Sequence, residues 1–271
     1  MKLAFKHTFV AIPVMLSLAT PVAAGSGQDA MAAYARGDYA TALRLLRPLA
    51  DQGDAQAQYN LGALYDNGQG VPQNYAEAMK WYRKAADQGD DRGQNNLATM
   101  YVKGQGVPQN YAEAMKWYRK AADQGNARAQ QNLGFMYANG QGVPKDDAEA
   151  MRWYRLAADQ GAAPAQYSLG LFYRHGTGVP QNDVEAVKWY RKAADQGYGD
   201  AQFNLAAMYK NGLGVPQDYV QAHVWLDLAA MAGDPGAAEN RNIVAALMTP
   251  AQITEAQRLA REWKPITPPP R

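Results

Sequence analysis

The sequence predicts an all-α protein, a solenoid of antiparallel helix hairpins built on 36-residue repeats. Residues 74–89 return almost unchanged at 110–125 and in recognisable form from Asp146, Asn182 and Asp218. Trp81, Trp117, Trp153, Trp189 and Trp225 mark the same 36-residue interval, and a fixed period of this size is the signature of a repeat array. Within each unit, two stretches of helical apolar spacing are separated by a Gly/Pro breaker. An array grows by stacking, so the 271 residues imply one elongated body rather than several globular domains.

Residues 1–24 join Lys2, Lys6 and His7 to an apolar run and end in Val22, Ala23 and Ala24. This is secretory signal architecture, with cleavage expected after Ala24. The run is short of the ~20 residues a spanning helix needs. The mature protein is therefore expected to be periplasmic or secreted, with no stable membrane insertion. Residues 25–53 read as a shortened first unit, in which Tyr39, Ala42, Leu45 and Leu46 fall one period before Tyr75, Ala78, Trp81 and Tyr82.

Five full units span 54–233, beginning near Asp54, Asp90, Asn126, Ala162 and Tyr198. Their first helix, 54–67 in the first unit, carries Ala57, Leu61, Leu64 and Tyr65 at the spacing of a buried stripe. Gly68 ends it, and Gly70, Val71 and Pro72 prevent its resumption. The second helix opens on Asn74, Asn110, Asp146, Asn182 or Asp218, with Glu77, Glu113, Glu149, Glu185 or Gln221 three residues later. This pattern predicts a reciprocal capping box. Ala78, Tyr82 and Ala85 supply the inner stripe, and Gly89 is placed as a left-handed C′ residue. Gly62, Ala98, Gly134, Gly170 and Ala206 remove bulk where the second helix must approach. One hairpin cannot cover its own apolar face, but stacked neighbours can.

The recurring pattern, read from Ala57 through Leu61, Gly62, Tyr65, Gly68, Gly70, Val71, Pro72, Tyr75, Glu77, Ala78, Trp81, Tyr82, Lys84, Ala85 and Ala86 to Gly89, closely resembles the Sel-1-like repeat, a relative of the tetratricopeptide repeat. The resemblance covers about residues 54–233. It implies a right-handed superhelix with a concave groove, used by known members mostly to scaffold or recognise other proteins. It also brings an enzyme alternative, since secreted cysteine-rich relatives bind or hydrolyse β-lactams; those rely on disulfides within each repeat.

The last unit departs from its siblings. Val224, Asp227 and Leu228 stand where earlier copies have basic residues, and Met231 extends an apolar stripe. A terminal apolar face needs a lid, for which 234–263 supply two helices: 237–248, with Ile243, Val244 and Leu247, and a second started by Thr249 as N-cap and Pro250 at the first position. Residues 264–271, with three consecutive prolines, are expected to be extended.

Chemistry finds few candidates. The chain has no cysteine, which excludes disulfides, thiolate metal sites and a cysteine nucleophile. Without Lys2 and Lys6, 25 basic residues face 25 acidic ones, so there is no global pull toward nucleic acid. His175 and His223 lie in different units with no carboxylate at ligand spacing, and no metal or other cofactor is expected. Ser168 and His175 are about 10 Å apart by helical rise, too far to act as nucleophile and base. The glutamates at 77, 113, 149 and 185 are assigned to capping rather than to acid–base work. Lys80, Arg83, Lys84 and their equivalents repeat on the outer side, offset by i, i+4 partners such as Asp87. They read as a solvated convex face, with polyanion or glycan binding as the alternative.

Comparing units with one another isolates first-helix positions where the side chain varies on one face. They are the sites of Gln56, Tyr59, Ala63, Asp66 and Asn67, occupied in later units by residues that include Arg92, Asn95 and Thr99; Arg128, Gln131 and Phe135; Tyr167, Leu171 and Arg174; and Phe203 and Lys210. A ladder of Asn60, Asn96, Asn132, Ser168 and Asn204 runs among them, and amides can pair with both the donor and the acceptor of an extended peptide. Tetratricopeptide relatives place such positions on the concave surface. The expected function is a monomeric, non-enzymatic scaffold that binds a protein or peptide partner of the cell envelope through this groove.

Overall fold

The computed structural model describes residues 25–266. The expected signal peptide, residues 1–24, and the end of the tail, 267–271, lie outside the described residues. Fourteen helices and no strand are found among the described residues. The short first unit is α1 (Gly25–Ala35) and α2 (Tyr39–Asp51). The five full units are α3 (Ala55–Asn67) with α4 (Tyr75–Asp87), α5 (Asp91–Lys103) with α6 (Tyr111–Asp123), α7 (Ala127–Asn139) with α8 (Asp147–Asp159), α9 (Ala163–His175) with α10 (Asp183–Ala194), and α11 (Gly199–Asn211) with α12 (Tyr219–Met231). The cap is α13 (Ala237–Ala245) and α14 (Pro250–Glu262). Each helix packs on its sequence neighbours, except that α14 returns to α12. The expected Ala57, Leu61 and Leu64 stripe is buried, as are Ala78, Tyr82 and Ala85.

The small residues sit where the notional hairpin contact is tightest. A Cβ on Gly134 would stand 2.7 Å from the Tyr154 ring, and Gly62 and Gly170 meet Tyr82 and Tyr190 in the same way. Between units, the loop glycine Gly106, at φ +71°, brings its backbone onto Tyr75, where a Cβ would lie 2.6 Å from a carbonyl oxygen. Only glycine tolerates both the conformation and the approach.

The capping expectation is half met. Asn74, Asn110, Asp146 and Asn182 each accept from the backbone N–H three residues on, but the glutamate does not return to the cap. The cap N–H is already donated across the turn, as from Asn74 to the Tyr65 carbonyl at 2.9 Å. The glutamates pair forward instead: Glu113 with Lys116 and Glu185 with Lys188, both at 2.6 Å. A reciprocal box forms at Thr249 and Gln252, which start α14.

The basic residues of the second helices correct a further expectation. Arg83 does not hold Asp87; it donates to the Tyr101 hydroxyl of the next unit and its guanidinium lies 5.2 Å from the Trp117 ring centroid. Arg119 repeats this with Tyr137 at 2.5 Å and Trp153 at 5.0 Å, and Arg155 with Tyr173 at 3.0 Å and Trp189 at 4.7 Å. These arginines are clamps between units, because each reaches forward over the stacking interface. The last unit has Asp227 at this position and no following unit. Arg241 of α13 reaches back to it at 3.0 Å.

The lid covers most of its target. Val224 and Leu228 are buried, with Val244 beneath α13, and Trp263 meets Trp225 edge to face at 6.3 Å. Met231, the last residue of α12 and expected under the lid, is 79% exposed. Past α14 the chain is extended, and the Ile266 N–H donates to the Asp195 carbonyl at 2.7 Å.

Candidate partner-binding groove

The variable face of the first helices carries two adjacent concavities. A cavity of about 230 Å³ is bordered by Asn132, Phe135 and Met136 of α7, by Thr99, Val102 and Lys103 of α5, and by Tyr118 and Gln141. Beside it, about 260 Å³ is bordered by Asp66, Asn96, Thr99, Lys103 and Gln105, among others. Thr99 and Lys103 belong to both. Phe135 is 52% exposed, an apolar ring presented to solvent beside charged and amide groups. Buried beneath it, the Oε1 of Gln141 has no donor among the described residues. Burial pushes Tyr118 up to about 12, partly offset by its bond with Thr99, so it remains a neutral hydroxyl 2.8 Å from the threonine oxygen.

Not every expected groove residue faces this surface. Asn60 and Asn95 are buried: Asn60 donates to Met31 Sδ at 3.0 Å, and Asn95 donates to Asn96 at 3.1 Å while accepting from Asn132 at 3.2 Å. The amide ladder therefore spends part of its bonding capacity between units, since neighbouring first helices bring their amides into reach of one another. Asn204 likewise donates to the Tyr167 hydroxyl at 3.2 Å, and Ser168 to the Pro164 carbonyl.

The other variable residues are held to differing degrees. Arg92 bonds Asp90 at 2.7 Å and lies 4.5 Å over the Tyr59 ring. Arg174 pairs with Asp183 at 3.3 Å. Leu171 and Phe203 are half-buried against the core, Gln131 is half-buried, and Arg128 is exposed. The structure thus brings Thr99, Asn132 and Phe135 into one site with Asn96 in the adjoining concavity, buries Asn60 and Asn95, and leaves the other expected residues outside these two concavities. Gln141 was missed by the sequence reading, whereas Val102 and Lys103 stand one 36-residue period after Asp66 and Asn67, on the variable face that it isolated. The recurring Gly-Gln-Gly loop was the available signal for Gln141, read there only as a helix stop.

No group of three or more His, Asp or Glu side chains able to hold a metal occurs among the described residues. His223, expected to lack a carboxylate, has its Nδ1 3.0 Å from Asp227 Oδ2 one turn on. Burial would push Asp227 up, but hydrogen bonds from His223 and Arg241 outweigh it and hold the carboxyl below its usual range. No described helix is long and apolar enough to cross a membrane.

The Sel1 repeat model matches residues 28–54, 55–90, 91–126, 127–161, 163–198 and 199–234. The chain belongs to the Sel1 repeat family. Its first unit is the shortened copy and the five full units follow in register. Among solved structures, a Sel1 repeat protein from Oxalobacter formigenes is 35% identical with a TM-score of 0.76, over 91% of this chain and 100% of that one. A protective antigen of uropathogenic Escherichia coli displaying an SLR fold is 37% identical, also at 0.76, over 88% of this chain. This Sel1 chain spans only 56% of that antigen's chain. A Pseudomonas aeruginosa immunity protein, 22% identical at a TM-score of 0.54 over 75% of this chain and 82% of its own, shares the fold. A search of curated proteins finds no match.

Proposed function

We propose that this Sel1 repeat protein is an exported, non-enzymatic scaffold that recognises an extended peptide segment of a cell-envelope protein across α5 and α7. The observation that carries the reading is Phe135, half-exposed beside Asn132 in a cavity shared by two units. A bulky apolar side chain costs solvation free energy when left in water, and an aromatic anchor beside polar groups is the composition of an interface hot spot. Membership of a family of repeat scaffolds supports the same reading. The export part rests on residues 1–24.

The test uses a peptide selected from a display library against the purified protein, followed by calorimetry on three variants. Phe135→Ala and Asn132→Ala should each weaken binding by about 1–3 kcal/mol. Lys116→Glu, on an exposed outer side chain paired with Glu113, should leave affinity nearly unchanged. Silent groove variants together with loss of binding in Lys116→Glu would place recognition on the opposite face.

A further inference from the structure

A chain of glutamine pairs runs through the array. Gln58, Gln94, Gln130, Gln166 and Gln202 are buried, and each donates through Nε2 to an alanine carbonyl at the end of the preceding helix, as Gln94 does to Ala86 at 3.2 Å and Gln202 to Ala194 at 3.2 Å. In the first four units the remaining amide oxygen also has a donor. Gln88, Gln124, Gln160 and Gln196, 30 residues further on, each present Nε2 to it at 2.6–2.8 Å.

The fifth unit breaks the pattern. Thirty residues after Gln202 stands Ala232, so the donor is missing. Gln202 is 1% exposed, and its Oε1 has no partner among the described residues. A second donor is missing as well. Internal equivalents of Ala230 receive the amide of the next unit's glutamine, whereas the position 36 residues after Gln202 is Ala238. Gln202, Ala230 and Ala232 all border one cavity of about 850 Å³. Leu228, Met231, Trp263 and Pro265 give it apolar walls. A buried acceptor without a donor is destabilising, and Met231 stands 79% exposed beside it.

The charges choose among donors. Arg241 and Arg261 border the cavity, while Asp227 is already held by Arg241 and His223. An ammonium group would meet two guanidinium groups, and a carboxylate would bring an acceptor to an acceptor. A neutral primary amide supplies N–H donors without charge, and it is the group that fills the equivalent position in four internal units. We propose that this cavity is a second recognition site, which takes the glutamine side chain of a protein partner: its carboxamide donates to Gln202 Oε1 and its methylene stem lies against Leu228, Met231 and Trp263. The site is independent of the Phe135 groove.

The decisive variant is Ala232→Gln. Ala232 is the C-cap residue of α12 at φ −77°, ψ −4°, close to the −86°, −1° of Gln88 at the C-cap of α4, so the introduced amide can occupy the site from within. The probe is the tripeptide Leu-Gln-Leu with acetyl and methylamide ends, which leave the side chain as its only primary amide. Binding is followed by two-dimensional amide NMR at Gly197 and at the Trp263 indole. The full chain should show a saturable shift, at least about tenfold weaker when Glu, Met or Lys replaces the peptide Gln. Ala232→Gln should weaken the Gln peptide by a similar factor without lowering the melting temperature. Met231→Ser, on an exposed side chain, should weaken it several-fold with folding intact. Equal binding of the Glu or Lys peptide, or an unchanged titration in Ala232→Gln, would overturn the proposal. So would absence of binding to the full chain, including the case in which binding appears only after removal of residues 267–271, since the chain's own tail would then be the occupant.

Discussion

Replacing Arg119 by Met tests whether the outer arginines are clamps rather than a solvated stripe. The substitution keeps most of the apolar stem and removes the guanidinium, which donates to Tyr137 at 2.5 Å and lies 5.0 Å over Trp153. A hydrogen bond from a charged donor contributes about 1.5–3 kcal/mol, and Arg119 is half-exposed, so the lower end applies. A cation over an indole at a partly exposed site adds about 0.5–1 kcal/mol. The expected loss is about 2 kcal/mol, which for a chain of this size corresponds to roughly 4–8 °C in melting temperature. Urea unfolding followed by tryptophan fluorescence measures it, with Lys116→Met as a control expected within about 0.5 kcal/mol. Arg119→Lys should recover less than half, because an ammonium cannot span the phenol and the indole as a planar fork does. If Arg119→Met is indistinguishable from Lys116→Met, the arginine is a surface charge and the clamp between units does not exist.

Asp227→Asn should cost about 1–3 kcal/mol at neutral pH. The wild-type carboxyl is held below its usual range, so its contribution is present above the unfolded value of about 3.9 and is lost as pH falls through the lower folded value; urea midpoints of the two proteins should converge as the pH falls below about 4. Deleting residues 234–271 should uncover Val224 and Leu228 and produce association or fraying of α12, read by light scattering and hydrogen exchange; a monomer with an unchanged melting temperature would refute the capping role. Export predicts a mature protein that begins at Gly25, and intact-mass measurement of native material that retains Met1 would reject it.

Much of the architecture is legible because it follows from periodicity. The tryptophan interval sets the unit, the Asn or Asp caps open the second helices, and Thr249 and Pro250 start α14 as their types predict. What escapes the sequence lies between units. Arg83 has Asp87 one turn away and Tyr101 eighteen residues away, and local spacing favours the carboxylate; the stacking interface brings the phenol and the Trp117 ring instead. Glu77 faces a cap N–H that the Tyr65 carbonyl has already taken. Asn60 and Asn95 share the spacing of the exposed face, yet bonds to neighbouring helices draw them inward. In each case the deciding partner belongs to an adjacent helix, and a pattern read within one unit cannot distinguish an amide facing solvent from one facing its copy.

The groove is tested most directly by site-specific photocross-linking in the organism's own envelope, with a benzophenone side chain placed at Phe135, at Thr99 or at Lys116. A partner recognised across α5 and α7 should give the same covalent adduct from positions 135 and 99, identifiable by mass spectrometry, and none from position 116. An adduct from position 116 alone would contradict groove recognition and assign binding to the outer face.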